Sequence, residues 1–210
     1  MNIKDIHKLE QATKKGRTEL FRLGLGLIFM VGVMLYASAK GVVGNEGTLV
    51  IVIAAAIGAY MAMNIGANDV ANNVGPAVGS KALTLFGALV IAAIFEAAGA
   101  LIAGGEVVGT IRNGIINPNL ITDSQTFVWI MMAALLAAAL WLNVATAIGA
   151  PVSTTHSIVG AIIGSGIAAS GMDIVNWGKM TEIAASWVVS PVLGGLVAAA
   201  MLYFIKRTII

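Results

Sequence analysis

The chain has 210 residues, of which 59% are hydrophobic and only 10% charged, with a mean hydropathy of +0.93. A soluble domain carries about 25% charged residues, so the composition excludes one and points to an integral membrane protein. Without cysteine there are no disulfides, thiolate metal sites or cysteine nucleophiles, and the net charge of +2 is no argument for nucleic acid because the positive residues are clustered.

Residues 1–19 read as a basic cytoplasmic segment: Lys4, Lys8, Lys14, Lys15, Arg17 and Arg22 all stand before or at the start of the first apolar run. Residues 20–47 read as a first transmembrane helix and loop outside the repeat that follows. The run 23–36 with Ala37-Ser38-Ala39 has the outline of a signal peptide, but a 22-residue polar leader is long for one, so a retained helix is expected. Further apolar segments fall at 48–65, 82–103, 126–149, 154–170 and 182–205. About 20 residues cross a bilayer core, so 154–170 is short, and 126–170 reads either as two spans or as a re-entrant hairpin. An inside N-terminus leaves only Lys40, Arg112 and Lys179 among the basic residues on the outside, which supports N-in, C-in. The expected fold is an all-α polytopic membrane protein of about six segments, some broken or re-entrant.

The stretch Asn64–Thr84, NIGANDVANNVGPAVGSKALT, is polar where a membrane helix should not be. Gly66, Gly75, Pro76 and Gly79 predict a broken helix over 66–80. Asn64, Asn68 and Asn72 share one helical face, as do Asp69 and Asn73. Carboxylate, amide and unwound backbone oxygens together suit a hard cation such as sodium, against the plainer reading of a polar cytoplasmic turn. In GAPVSTTHSIVGAIIGSG, Gly149–Gly166, Pro151 ends one helix and Ser153, Thr154 and Thr155 stand at the start of the next. A helix N-terminus with extra hydroxyls suits an oxyanion, though capping alone also accounts for one of them. His156 reads as a hydrogen-bond donor or a proton carrier. Glu96 lies mid-segment, where an acidic residue at a helix centre costs about 2.5–3.5 kcal/mol and so marks either function or a buried structural bond. Glu106 and Arg112 read as interfacial, at the helix end and in the loop after it, while Asn143 is placed to face the same cavity as the other polar groups. The spacing Gly160-x-x-x-Gly164 implies close helix packing and nothing more.

GANDVANNVGPAVGSKALT (66–84), IFEAAGALIAGGEVVGTIRNGII (94–116) and GAPVSTTHSIVGAIIGSG (149–166) together resemble the inorganic phosphate transporter (PiT) family of permeases and sodium–phosphate symporters. The resemblance covers about 48–206 and implies the first transporter repeat, one half of an inverted-repeat fold. By motif it makes Asn68, Asp69 and Asn72 cation-site residues, with sodium there; Asn64 and Asn73, on the same two helical faces, complete the expected cation-binding set. Ser153, Thr154, Thr155 and Asp69 become phosphate-binding residues, Glu96 a transport-essential acid, and His156 and Arg112 secondary residues. The implied function is cation-coupled phosphate transport across the cell membrane, with sodium or a proton as the coupled ion and no other cofactor. A proton-coupled or metal-phosphate symporter, a sulfate permease and a non-transporting membrane subunit are the alternatives; no enzyme chemistry is expected. Implied partners are phosphate, the cation, lipid, a second repeat from the same gene or another chain, and a homo-oligomer. Only one GANDVAN and one PVSTTH motif are present, where the family carries two halves.

Overall fold

Hydrocarbon offers no hydrogen bonds, so an apolar run must pair its backbone within itself, and a helix does so. In the computed structural model, which describes residues 3–40, 46–121 and 123–208, the chain forms six helices: α1 (Ile3–Lys40), α2 (Glu46–Gly79), α3 (Leu85–Asn113), α4 (Ser124–Ala147), α5 (Thr154–Ser170) and α6 (Trp177–Thr208). All but α5 contain a stretch long and apolar enough to cross a membrane, and α5 has only 17 residues. The chain is a multi-pass membrane protein. The side chains of Lys4, Lys8, Lys14, Lys15 and Arg17, and the loop at 41–45, lie outside the described residues.

Two expectations change. Residues 66–79 are helical, so α2 runs unbroken through Gly66, Gly75 and Pro76. Glycine in a helix costs about 1 kcal/mol, which a packed helix tolerates. Pro76 stands only three residues from the helix end, where it removes just the donor to the Asn72 carbonyl. The turn comes later: Ala82 N–H donates to the Ala77 carbonyl (3.0 Å) and Lys81 N–H to that of Val78 (3.0 Å), with Lys81 at φ 62°. This is a left-handed helix cap in which lysine occupies the position glycine usually takes. Likewise α3 continues past Gly104-Gly105, which places Glu106 and Arg112 on the helix rather than in a loop. The break expected at Pro151 is present between α4 and α5.

Two compact units divide the chain, Met1–Ala97 with Met131–Ala161, and Ala98–Ile130 with Ile162–Ile210. In the first, α1 packs on α2 near Gly26 and Met63. The buried cluster of Met61, Ala138, Ala139 and Leu142 joins α2 to α4, with Tyr60, Ile65 and Leu135 around it. Alanines at this seam let the helix backbones come close, the way helices associate when lipid provides no hydrophobic drive. In the second unit the linkers after α3 and α5 pair with each other. Asn117 N–H donates to the Ile174 carbonyl (2.8 Å), Asn176 N–H to that of Ile115 (2.9 Å), and the isoleucines at 115, 116 and 174 are buried between them.

Ala139→Leu should force α2 from α4 and lower stability by about 1–3 kcal/mol, read as the melting temperature of the protein in detergent. Asp123, just ahead of α4, accepts the Thr126 N–H (2.7 Å) and hydroxyl (2.8 Å). The backbone bond above all holds its carboxyl below the usual 3.8. A carboxylate depressed on folding stabilises the fold above its unfolded pKa and loses that contribution as pH falls through the folded one. Melting curves of Asp123→Ala and the parent protein should therefore differ above about pH 4 and converge below it.

Candidate functional site

Helical spacing places Asn64, Asn68 and Asn72 one turn apart on α2, and both Asn64 and Asn68 are buried. Asn64 Nδ2 donates to the Tyr60 carbonyl (2.8 Å), and Asn64 Oδ1 accepts from Asn143 Nδ2 of α4 (3.1 Å). One turn further, Asn68 Nδ2 donates to Thr146 Oγ1 (3.1 Å) and to the Ala150 carbonyl (3.2 Å). Asn68 Oδ1 accepts from Asn72 Nδ2 (3.3 Å) and from the Val152 N–H (3.4 Å). A primary amide offers two donors and two acceptor lone pairs, so Asn68 is fully engaged. The polar face of α2 is thus a ladder of two rungs to α4, continued at Asn68 into the break before α5.

On the neighbouring face Asp69 is half-buried and Asn73 exposed, and neither has a hydrogen bond or ion pair to another described residue. The Asn72 carbonyl, whose helical donor would be residue 76, is left without it because proline has no N–H. Oxygen acceptors therefore cluster within 69–73 even though the helix stays wound. That outcome differs from the unwound turn expected of the glycines.

The α4–α5 break is built from three devices. Gly149 takes φ 71°, Ala150 N–H donates to the Ala145 carbonyl (2.8 Å) and Gly149 N–H to that of Thr146 (3.1 Å), which caps α4. Ala150 and Val152 are tied to Asn68. Ser153 caps α5: its Oγ accepts the His156 N–H (3.3 Å) and lies 2.6 Å from His156 Nδ1. Its carbonyl accepts the Ser157 hydroxyl (2.8 Å). Thr155 is exposed, whereas Thr154 is 8% exposed and its buried Oγ1 has no partner among the described residues. An open cavity of about 410 Å³ is lined by Trp141, Val152, Ser153, His156 and Ser157.

Glu96 lines a second cavity, of about 460 Å³, where α3 faces Ala62, Ile65, Gly66 and Val70 of α2. The missing side chain of Gly66 helps open it on the face of α2 away from the asparagine ladder. The structure brings the asparagines and the PVSTTH segment together at the break and sets Glu96 across α2 from them. Arg112, exposed in the last turn of α3, belongs to the other compact unit. Thr146 and Trp141 carried no mark in the sequence. The signal available was the three-residue spacing of Asn143 and Thr146 on α4, which matches a rung separation on α2.

The sequence profile of the Phosphate transporter family matches residues 65–210. A relative from Helicobacter pylori named "Putative phosphate permease" is 54% identical over 209 residues, covering 100% of this chain and 39% of its own length. Another of that name, from Chlamydia trachomatis, is 47% identical over 154 residues, covering 73% of this chain and 36% of its own. A solved structure named "The sodium-dependent phosphate transporter" superposes with a TM-score of 0.71 at 43% identity over 76% of this chain and 40% of that one. This chain thus spans about two-fifths of the length of these proteins. With its signature motifs lying inside the matched residues, the chain belongs to the phosphate transporter family.

Proposed function

We propose that this chain supplies one oxyanion and cation site of a membrane transporter that moves inorganic phosphate by symport with sodium, in the cell membrane and with its N-terminus cytoplasmic. The observation that carries the reading is the start of α5. There a helix N-terminus, the Ser153 cap and a buried Thr154 hydroxyl without a partner among the described residues converge. Unpaired N–H groups and hydroxyls at a helix start replace the hydration of an oxyanion, and an unsatisfied buried hydroxyl gains a bond when an acceptor arrives. Thr155 and His156 complete the donor set. Asp69, Asn72 and Asn73, with the Asn72 carbonyl, form the cation side, and Asn64 and Asn68 buttress it. A co-bound cation offsets the charge of phosphate, which cannot enter hydrocarbon bare. Glu96 is the acid that the transport cycle requires, beside α2, and Arg112 has a secondary role. Sodium is favoured over a proton by the likeness to a transporter described as sodium-dependent. A second repeat, from the same gene or another chain, completes the pathway, and a homo-oligomer fits the same arrangement.

Labelled-phosphate uptake by proteoliposomes holding the full gene product tests this. Uptake should require an inward sodium gradient and resist excess sulfate, and Asp69→Asn should abolish the sodium stimulation. Uptake that tracks pH and ignores sodium would instead favour proton coupling through Glu96 and His156.

Ser153→Ala would remove a cap, worth about 1 kcal/mol, together with any ligand role. Thr154→Val separates the two. It deletes an unpaired buried hydroxyl and keeps the shape, so stability should hold or rise slightly while the phosphate KM increases about tenfold, the worth of one hydrogen bond to a charged group. An unchanged KM would remove Thr154 from the site.

A further inference from the structure

Where one helix stops and another starts, the peptide groups between them lose their helical partners and need others. At 150–152 that partner is a side chain. The amide of Asn68 carries the same donor and acceptor as a peptide group. It donates to the Ala150 carbonyl at 3.2 Å and accepts the Val152 N–H at 3.4 Å, bridging Pro151 as an adjacent strand would. Pro151 has no N–H to be paired. The remaining N–H of the amide goes to Thr146 in the last turns of α4 (3.1 Å), and the remaining lone pair to Asn72 (3.3 Å). Asn68 is 5% exposed. One buried amide therefore holds the end of α4, the linker and the approach to α5 on a single point of α2.

We propose that Asn68 is a positioning residue for the oxyanion site: through Ala150 and Val152 it sets the direction of the α5 N-terminus and the reach of Ser153–Thr155. The functional part of this assignment rests on reading that terminus as the phosphate site. It takes Asn68 out of the cation ligands, because both lone pairs of its oxygen already accept hydrogen bonds from protein. A ligand contributes to sodium affinity. A positioning amide contributes to phosphate affinity and to the protection of the break's own N–H groups.

Asn68→Ala and Asn68→Asp in the full gene product distinguish the two roles. The readouts are the phosphate KM, the half-saturating sodium concentration, and hydrogen–deuterium exchange of peptides covering 149–157. Asn68→Ala should raise the phosphate KM about tenfold, leave sodium half-saturation within about twofold, and speed exchange at Val152 about tenfold or more. Asn68→Asp keeps an acceptor for Val152 but loses both donors, so it should raise the phosphate KM as well. The assignment is overturned if Asn68→Asp keeps the phosphate KM and the protection while shifting sodium half-saturation. It is equally overturned if exchange at 149–157 is unchanged in Asn68→Ala. A parent protein that takes up no phosphate would sink the transport reading alone, and exchange would still decide the clamp. Should Asn68→Ala open all of α2 to exchange, Asn68→Gln, which keeps the amide but displaces it by one methylene, is judged by the same readouts.

Discussion

The site depends on how the chain pairs the peptide groups that lose their helical partners where α4 stops and α5 starts. A peptide group buried there without a partner would cost about 1–3 kcal/mol, and the linker at 148–153 holds several peptide groups outside the helices. Three residue types settle them: glycine at φ 71° closes the end of α4, serine opens α5, and Asn68 covers the middle from another helix. Without that amide, the linker is left to the apolar packing of Val152 and of Ile158 and Ala161 on the α2–α4 cluster. Residues 68 and 152, far apart in sequence, thus share one hydrogen-bonded unit, and the two family motifs are parts of one structure.

This unit also explains what could and could not be read from the residues alone. The helices were legible because apolar runs bounded by Gly, Pro and charge have one low-energy solution in lipid. The break at Pro151 was legible because proline cannot continue the ladder and Ser-Thr-Thr starts a new one. Pro76 was misleading for a positional reason. So near a helix end it deletes only one donor and does not break the helix. The asparagines were legible as a face but not as a ladder, because their partners are Asn143 and Thr146, and a lone threonine in a run of alanines is unremarkable in sequence. Partners across helices depend on packing, and packing is set by small residues such as Ala138 and Ala139, whose pattern does not say which neighbour they meet.

Glu96 shows the same constraint from the side of charge. A carboxylate facing lipid at mid-helix would cost about 2.5–3.5 kcal/mol, and it lines a cavity against Gly66 and Val70 of α2. Glu96 is itself exposed at the edge of that cavity. α6 differs: its apolar side chains are exposed along its length, and Lys206 and Arg207 stand in its last turn.

Satisfied and unsatisfied groups therefore carry different information here. Asn68 has every donor and acceptor engaged, so nothing remains for a ligand to gain by binding to it, and its contribution is geometric. Thr154 is also buried, and its hydroxyl has no partner among the described residues, a condition that costs about 1–3 kcal/mol. The fold tolerates that cost one residue past the segment Asn68 holds in place. An acceptor that reaches Thr154 recovers the desolvation penalty already incurred, so the affinity it gains there exceeds that of a hydrogen bond formed at a solvated surface. Rigid pairing at Asn68 and an open valence at Thr154 are complementary. In the proposed site the first fixes the backbone of the break and the second offers a ligand its hydroxyl.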